Sequence, residues 1–511
     1  MANLPGAAQL NLKEAIGQLL VPRISGFLLD HQRLYPQWEL DAARLEAAIV
    51  THGVGGVLVY GGSLGDTFLK IQALQQQAAL PLLVAADLEA GCGQHIRGAT
   101  VLPVARALGA AAEADYAYHC GAITAREARS VGINWVLAPC LDVMSNPRNP
   151  VIGLRSFGED PREVARLGVA FAAGLRDGGV LSAIKHFPGH GDVEVDSHLA
   201  LPVLGRGRDR LEAEDWLPFR AVLAAGADSL MSAHLRVPAL DPEWPATLSR
   251  RILTEIVREG WGYTGIIVTD ALNMGAIAGW PAPAVRALQA GADVIMMPES
   301  VPDTVDLIVS AVRRGLLSEE RLYASVERVL AAKARLAPPS ASPLAIEQRS
   351  GQALERMIAK AAVTVERDRA GLLPVPCLKP TLNILVVDRC LDGAVAADSP
   401  ILERRELGPH YETHWLEAAS GEEYLAFLGE RAAAHRRTLV QVLTPVRAYR
   451  GTAGVHPAAE HFLQSLAGER TILVSYTNPY LGRQFEQLST VLNAFNNGPA
   501  SHAAVLERLE S

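Results

Sequence analysis

The sequence predicts an α/β protein: an N-terminal TIM-like (β/α)8 barrel followed by a smaller α/β domain. Three observations carry this. Short apolar runs recur along the first part of the chain, each followed by an amphipathic stretch. Titratable residues gather just after those runs. A Pro- and Ser-rich segment then separates them from a second, shorter series of apolar runs.

The runs, in order, are Leu19–Ile24, Val54–Val59, Leu80–Ala85, Ile133–Ala138, Val180–Ile184, Ala227–Met231, Gly265–Val268 and Ala292–Met297. Apolar stretches of this length, bounded by turn residues, read as strands buried on both faces. Helix-like segments lie between them, for example Asp160–Leu175 and Leu217–Ala225, so the connections suit parallel crossovers. Eight such units favour a closed barrel over an open doubly wound sheet, although periodicity alone permits both. The barrel is expected over residues 1–336. A linker and connecting helix are expected over 337–375, from the composition of Ala337-Pro338-Pro339-Ser340-Ala341-Ser342-Pro343 and the helical pattern of Gly351–Val363. The small domain is expected over 376–511. Its apolar runs Leu382–Val387, Thr438–Leu443 and Thr471–Ser475 read as buried strands with helices on both faces.

The bulk numbers exclude several function classes. The 511 residues are 49% hydrophobic and 20% charged, as in a globular protein. The net charge is −8 and no basic block is present, which argues against nucleic acid as the partner. The five cysteines, Cys92, Cys120, Cys140, Cys377 and Cys390, form no CxxC pair, so neither a disulfide framework nor a zinc site is expected. No secretory leader and no apolar stretch long enough to span a membrane is visible, and the expected location is the cytoplasm.

The chemistry concentrates in Lys185-His186-Phe187-Pro188-Gly189-His190-Gly191-Asp192, followed at once by Asp196-Ser197-His198. Pro and Gly bar a regular helix here, and the segment reads as an irregular loop at the C-terminal end of the strand at 180–184. Asp87 and Glu89, Asp142, Ser232-Ala233-His234 and Asp270 likewise follow strand ends. In a barrel these ends converge on one face, where active sites sit. Asp196 and His198, two apart in a loop, can approach each other, and a carboxylate beside an imidazole fixes its tautomer. A carboxylate facing a proton donor is what retaining glycoside hydrolysis requires. Blander roles suit other residues. His190 between glycines reads as a loop-packing residue, and Asp142 as a brace between loops. His234 either lines the pocket or braces the Asp270 loop. His186 reads as a hydrogen-bonding group rather than a metal ligand, because nothing else completes a metal set.

These pieces resemble glycoside hydrolase family 3, specifically its β-N-acetylglucosaminidase branch. The matching segments are Lys185–Gly191, Asp196-Ser197-His198, Thr269-Asp270-Ala271-Leu272-Asn273-Met274-Gly275, Pro147–Gly158 and Gly371-Leu372-Leu373-Pro374. The resemblance implies a TIM-like barrel with an αβα sandwich after it. It also implies a retaining exo-β-N-acetylglucosaminidase with no cofactor or metal, acting on a small carbohydrate, possible muropeptides included. By position, Asp270 is then the nucleophile, His198 the general acid/base and Asp196 its partner, while Asp87, Arg97, Arg155, Lys185 and His186 bind the sugar. Around Arg97 the chain departs from the family's Asp-x-Glu-Gly-Gly-Arg pattern, and the second domain is shorter than usual. A β-N-acetylglucosaminide phosphorylase, a β-glucosidase or β-xylosidase, and a sugar-binding protein without turnover stay open as alternatives, as does the oligomeric state.

Overall fold

The computed structural model describes residues 4–336, 346–375, 380–389, 399, 401, 411–444, 451 and 453–511. The segment 337–343, expected as a linker, and Cys377 and Cys390 lie outside them. The chain divides into two compact units. One comprises 1–102, 113–145 and 158–352; the other comprises 103–112, 146–157 and 353–511.

The first unit is built on parallel strands β1 (Leu20–Val21), β2 (Arg23–Ser25), β3 (Gly56–Tyr60), β4 (Leu83–Ala86), β5 (Trp135–Val136), β6 (Leu181–Phe187), β7 (Ser229–Ser232), β8 (Ile266–Thr269) and β9 (Ile295–Met296). β2 to β8 form one sheet in chain order, and β1 pairs with β9. Backbone bonds close the ring. Thr269 N–H donates to Val294 O at 3.0 Å, Leu272 N–H to Met296 O at 3.0 Å, and Ile295 N–H to Leu19 O at 2.8 Å. The run expected as one strand at 19–24 is two, divided at Pro22. Proline has no N–H for the ladder, and the chain changes partner there from β9 to β3. The crossover helix Pro161–Asp177 shows how the outer layer forms. Asp160 caps it by accepting from Arg162 N–H at 2.8 Å, proline occupies its first turn, and Val164, Leu167, Phe171 and Leu175 recur at helical spacing on the buried face.

β6 differs from expectation. It runs through Phe187 with every residue buried, so Lys185 and His186 belong to the strand rather than to the loop after it. Polar side chains are tolerated in a buried strand only with partners, and both have them, as described below.

The second unit carries β10 (Thr364–Asp368), β11 (Thr381–Val386), β12 (Tyr411–Leu416), β13 (Thr438–Val442), β14 (Thr471–Ser475) and β15 (Thr490–Asn493), in the order β10-β15-β14-β13-β11-β12. Only β10 runs antiparallel to its neighbour. Alternate residues feed two cores. Leu382, Ile384, Val386 and Val440 pack with Leu428, Phe462 and Leu463 from the helices Glu422–Ala434 and Pro457–Ser465. Leu385, Leu439, Ile472 and Val474 pack with Val505 and Leu509 from the helix Pro499–Glu510. The period of two thus makes a three-layer αβα sandwich. Among the described residues no helix is long and apolar enough to cross a membrane.

Candidate active site

The β8 chain ends in Asp270, whose N–H donates to Ser232 O at 3.1 Å, so the strand ladder itself fixes its backbone. Ala271 N–H donates to Asp270 Oδ1 at 2.8 Å. Burial alone pushes the Asp270 carboxyl up. The imidazoles of His186, His234 and His198, with the Ala271 N–H, outweigh that and hold it below the ordinary carboxylate value. The group is therefore an anion at neutral pH.

Asp196 is buried, and its Oδ1 accepts from both His198 N–H at 2.9 Å and His198 Nδ1 at 2.8 Å. The double contact fixes the ring and leaves Nε2 on its far side. The loop carrying this pair is bonded to the loop carrying Asp270. Gly275 N–H donates to His198 O at 3.0 Å and Ala276 N–H to Ser197 O at 3.1 Å. Glycine is required at 275, because a Cβ there would lie 2.5 Å from Leu199 O. At Gly191 the same holds, with Val143 O only 1.8 Å from a Cβ.

Lys185, fully buried, sets its Nζ between Asp87 Oδ1 at 2.6 Å and Glu89 Oε1 at 2.7 Å. Asp87 follows β4 directly, so a strand-end acid meets a strand-borne lysine across the barrel mouth. Glu89 went unassigned in the sequence, although its Asp-x-Glu spacing is the signal that could have found it. The same strand supplies His186, whose Nδ1 lies 2.7 Å from Asp142 Oδ2.

His234 is a brace. Burial lowers its pKa, opposed by Asp270, so the ring is neutral. Nε2–H then donates to Ala271 O at 3.0 Å, and Nδ1 lies 2.8 Å from the Thr247 hydroxyl, which donates to Ala233 O at 2.9 Å. Thr247 in turn accepts from Ser232 at 3.0 Å. His190 is fully buried. Its Nε2 lies 3.0 Å from Ser197 Oγ and its N–H donates to Asp142. Burial pushes its pKa down to about 4, which suits a neutral packing residue.

Arg97 is exposed, with its guanidinium carbon 5.3 Å from the Phe27 ring centroid, and its side chain makes no hydrogen bond among the described residues. His95, two residues earlier, is the member of that segment on which the charges of Asp87, Glu89 and Lys185 bear, and its ring lies 4.1 Å from that of Tyr60. Arg155 belongs to the second unit, half-buried at the end of the turn Gly153–Arg155.

A barrel with an acid and an Asp–His pair at its strand ends, and an αβα sandwich after it, narrows the families available. Residues 11–332 match the glycosyl hydrolase family 3 N-terminal domain. The chain belongs to glycosyl hydrolase family 3. Beta-hexosaminidase A of Pseudoalteromonas piscicida is 34% identical over 387 residues, which are 68% of this chain and 64% of that protein. The chain thus spans less than two thirds of that relative. Among solved structures, a family 3 β-N-acetylglucosaminidase from Paenibacillus sp. str. FPU-7 is 31% identical with a TM-score of 0.83, covering 98% of this chain and 97% of that one. Beta-glucoside phosphorylase BglX is 26% identical with a TM-score of 0.85, covering 99% and 92%. The family 3 match ends at residue 332, near the end of the barrel helix Glu319–Ala334.

Proposed function

We propose that the chain is a retaining exo-β-N-acetylglucosaminidase that works through a covalent glycosyl-enzyme. The observation that carries the reading is the Asp196–His198 pair on a loop bonded to the loop of an ionised Asp270. In the first step an Asp270 oxygen attacks the anomeric carbon, the bond from that carbon to the leaving oxygen breaks, and His198 Nε2–H gives its proton to that oxygen. In the second step His198 Nε2 takes a proton from water. The hydroxyl attacks the anomeric carbon, and the ester bond to Asp270 breaks. Two displacements restore the β configuration. Asp196 holds the imidazole and stabilises its charged form. Asp87, Lys185 and His186 bind the glycone, with Arg155 and Arg97 as further candidates. The reading takes 1–336 as the catalytic barrel, 337–375 as the connection and 376–511 as the second domain. Muropeptide fragments in the cytoplasm are the proposed setting, and the free buried thiols of Cys92 and Cys120 suit a reducing compartment.

The test is release of phenol from an aryl β-N-acetylglucosaminide, with a fluorosugar to trap the intermediate. Label on a peptide containing Asp270 supports the assignment, and label elsewhere overturns it.

One observation favours a second reading, phosphorolysis. A histidine that has given up its proton is neutral, so it does not repel phosphate as a carboxylate would. The likeness to a phosphorylase fits this. Sugar 1-phosphate formed in phosphate buffer, in place of free sugar, would decide for it.

A further inference from the structure

Asp142 follows β5 and is completely buried. A carboxylate so placed is costly unless donors surround it. They do: His186 Nδ1 at 2.7 Å, His190 N–H at 2.6 Å, His186 N–H at 3.3 Å and Cys140 Sγ at 3.1 Å. Burial pushes the carboxyl up, but the charge and hydrogen bond of His186, with those of His190, hold it at about 2. An ionised carboxylate only accepts, so the proton between Asp142 and the ring sits on His186 Nδ1. The ring is thereby fixed in plane and tautomer, with Nε2 on the edge away from Asp142. His186 is also the first of the charges that lower the Asp270 carboxyl. Lys185, the neighbour of His186 on β6, is clamped by Asp87 and Glu89. The strand therefore presents two adjacent polar side chains, each set by carboxylates that follow other strands.

Cys140, Asp142 and His186 also offer donor atoms within 4.8 Å of one another, a spacing open to a metal ion. The hydrogen bonds favour the other use of the set. Asp142 already takes four donors, and His186 Nδ1, the atom a metal would need, is engaged by its oxygen.

We propose that Asp142 is a positioning residue for the glycoside reaction, holding His186 with Nδ1 protonated and Nε2 presented to the glycone. It acts on the substrate only through that imidazole. The inference rests on the reading above that His186 binds the sugar.

The test uses the full chain with 15N-labelled histidine. In the wild type, long-range 15N–1H spectra should show His186 Nδ1 protonated from pH 5 to 8. A His186 protonated on Nε2 alone would overturn the proposal, and so would one equivalent of bound zinc that shifts the His186 signals. Asp142→Asn keeps an oxygen for the His190 N–H. It should mix the His186 tautomers and lower kcat/KM on an aryl β-N-acetylglucosaminide about 10- to 100-fold, the range for groups that orient a histidine from behind. His186→Ala should lose at least as much, and the double variant no more than His186→Ala alone. Multiplying losses in the double variant, or an unchanged His186 spectrum in Asp142→Asn, would overturn it. Should the wild type lack this activity, the functional reading fails while the spectra still decide the Asp142–His186 relation. The wild-type spectrum also decides it if Asp142→Asn does not fold.

Discussion

Substituting Gly275 by alanine should impair catalysis far more than folding. A Cβ at 275 would lie 2.5 Å from Leu199 O, 2.8 Å from His198 O and 2.8 Å from Leu199 C. These are backbone atoms and cannot rotate aside. Ordinary contact begins near 3.4 Å, so the β8 loop and the His198 loop must part by some 0.9 Å, the gap between 2.5 and 3.4 Å. One loop carries Asp270 and the other His198, so the separation falls between the proposed nucleophile and proton donor. A misplacement of about 1 Å costs roughly 100-fold in rate, while overpacking of this size costs about 1–3 kcal/mol of stability. The assay measures kcat and KM for aryl N-acetylglucosaminides with good and poor leaving groups, alongside thermal unfolding. The loss should fall mainly on kcat and be larger for the poor leaving group, because the displaced group is the proton donor. Gly65→Ala is the control. Gly65 lies in the helix Leu64–Gln77 with nothing near its Cβ position, so alanine there should leave activity intact. A folded Gly275→Ala enzyme with wild-type kinetics would refute the coupling of the two loops. Equal losses for both leaving groups would mean that the acid/base is not what moved.

His198→Ala should cut the rate about 10²- to 10⁴-fold for poor leaving groups and much less for activated aryl substrates. Asp196→Asn should give a smaller version of the same pattern, and leaving-group-independent losses in both would remove the acid/base assignment. A thiazoline that mimics an oxazolinium intermediate should inhibit poorly, since Asp270 rather than the substrate's acetamido group is the nucleophile; tight inhibition would show otherwise. Lys333 is buried with Nζ 2.5 Å from Gln18 Oε1, and burial pushes its pKa down to about 7. A depressed folded pKa gives stability that is full above the unfolded value near 10.5 and lost as pH falls through 7. Lys333→Met should therefore raise Tm by a few degrees at pH 6 and by less at pH 9.5, and a pH-independent shift would contradict the buried-charge account.

The barrel strands were legible because parallel strands covered on both faces are apolar throughout, and the runs at 54–59, 227–231 and 265–268 needed no further context. Where the sequence misled, the missing information lay far away in the chain. The sequence ends β6 at Ile184 because Lys185 and His186 are polar. Their partners, Asp87, Glu89 and Asp142, come from the ends of other strands, and no local pattern records such pairing. The edge strand β12, Tyr411–Leu416, is half-buried and polar, and β10, Thr364–Asp368, is the antiparallel edge; neither has the apolar run that marks a central strand. The Asp196–His198 contact was readable from its spacing. The bonds from Gly275 and Ala276 to that loop were not, because a backbone contact leaves little trace beyond a glycine.

That backbone contact decides how the site is held. Loops usually supply catalytic groups at some cost in precision. Here Ser197 is gripped from two sides, by His190 through its hydroxyl and by Ala276 N–H through its carbonyl. His190 in turn hangs by its own N–H on Asp142, the carboxylate that orients His186. Farther along, Arg206, almost wholly buried, joins Asp192 of the same loop at 2.7 Å to Asp215 at 2.7 Å. The acid/base loop is therefore fastened to β6, to the β5 loop and to the β8 loop at once. In a buried site each of these bonds is strengthened by the low dielectric around it. The spacing between Asp270 and His198 is consequently set by main-chain bonds, and a methyl group at position 275, which drives the two loops apart, disturbs it more than a change in a side chain that makes none of these bonds.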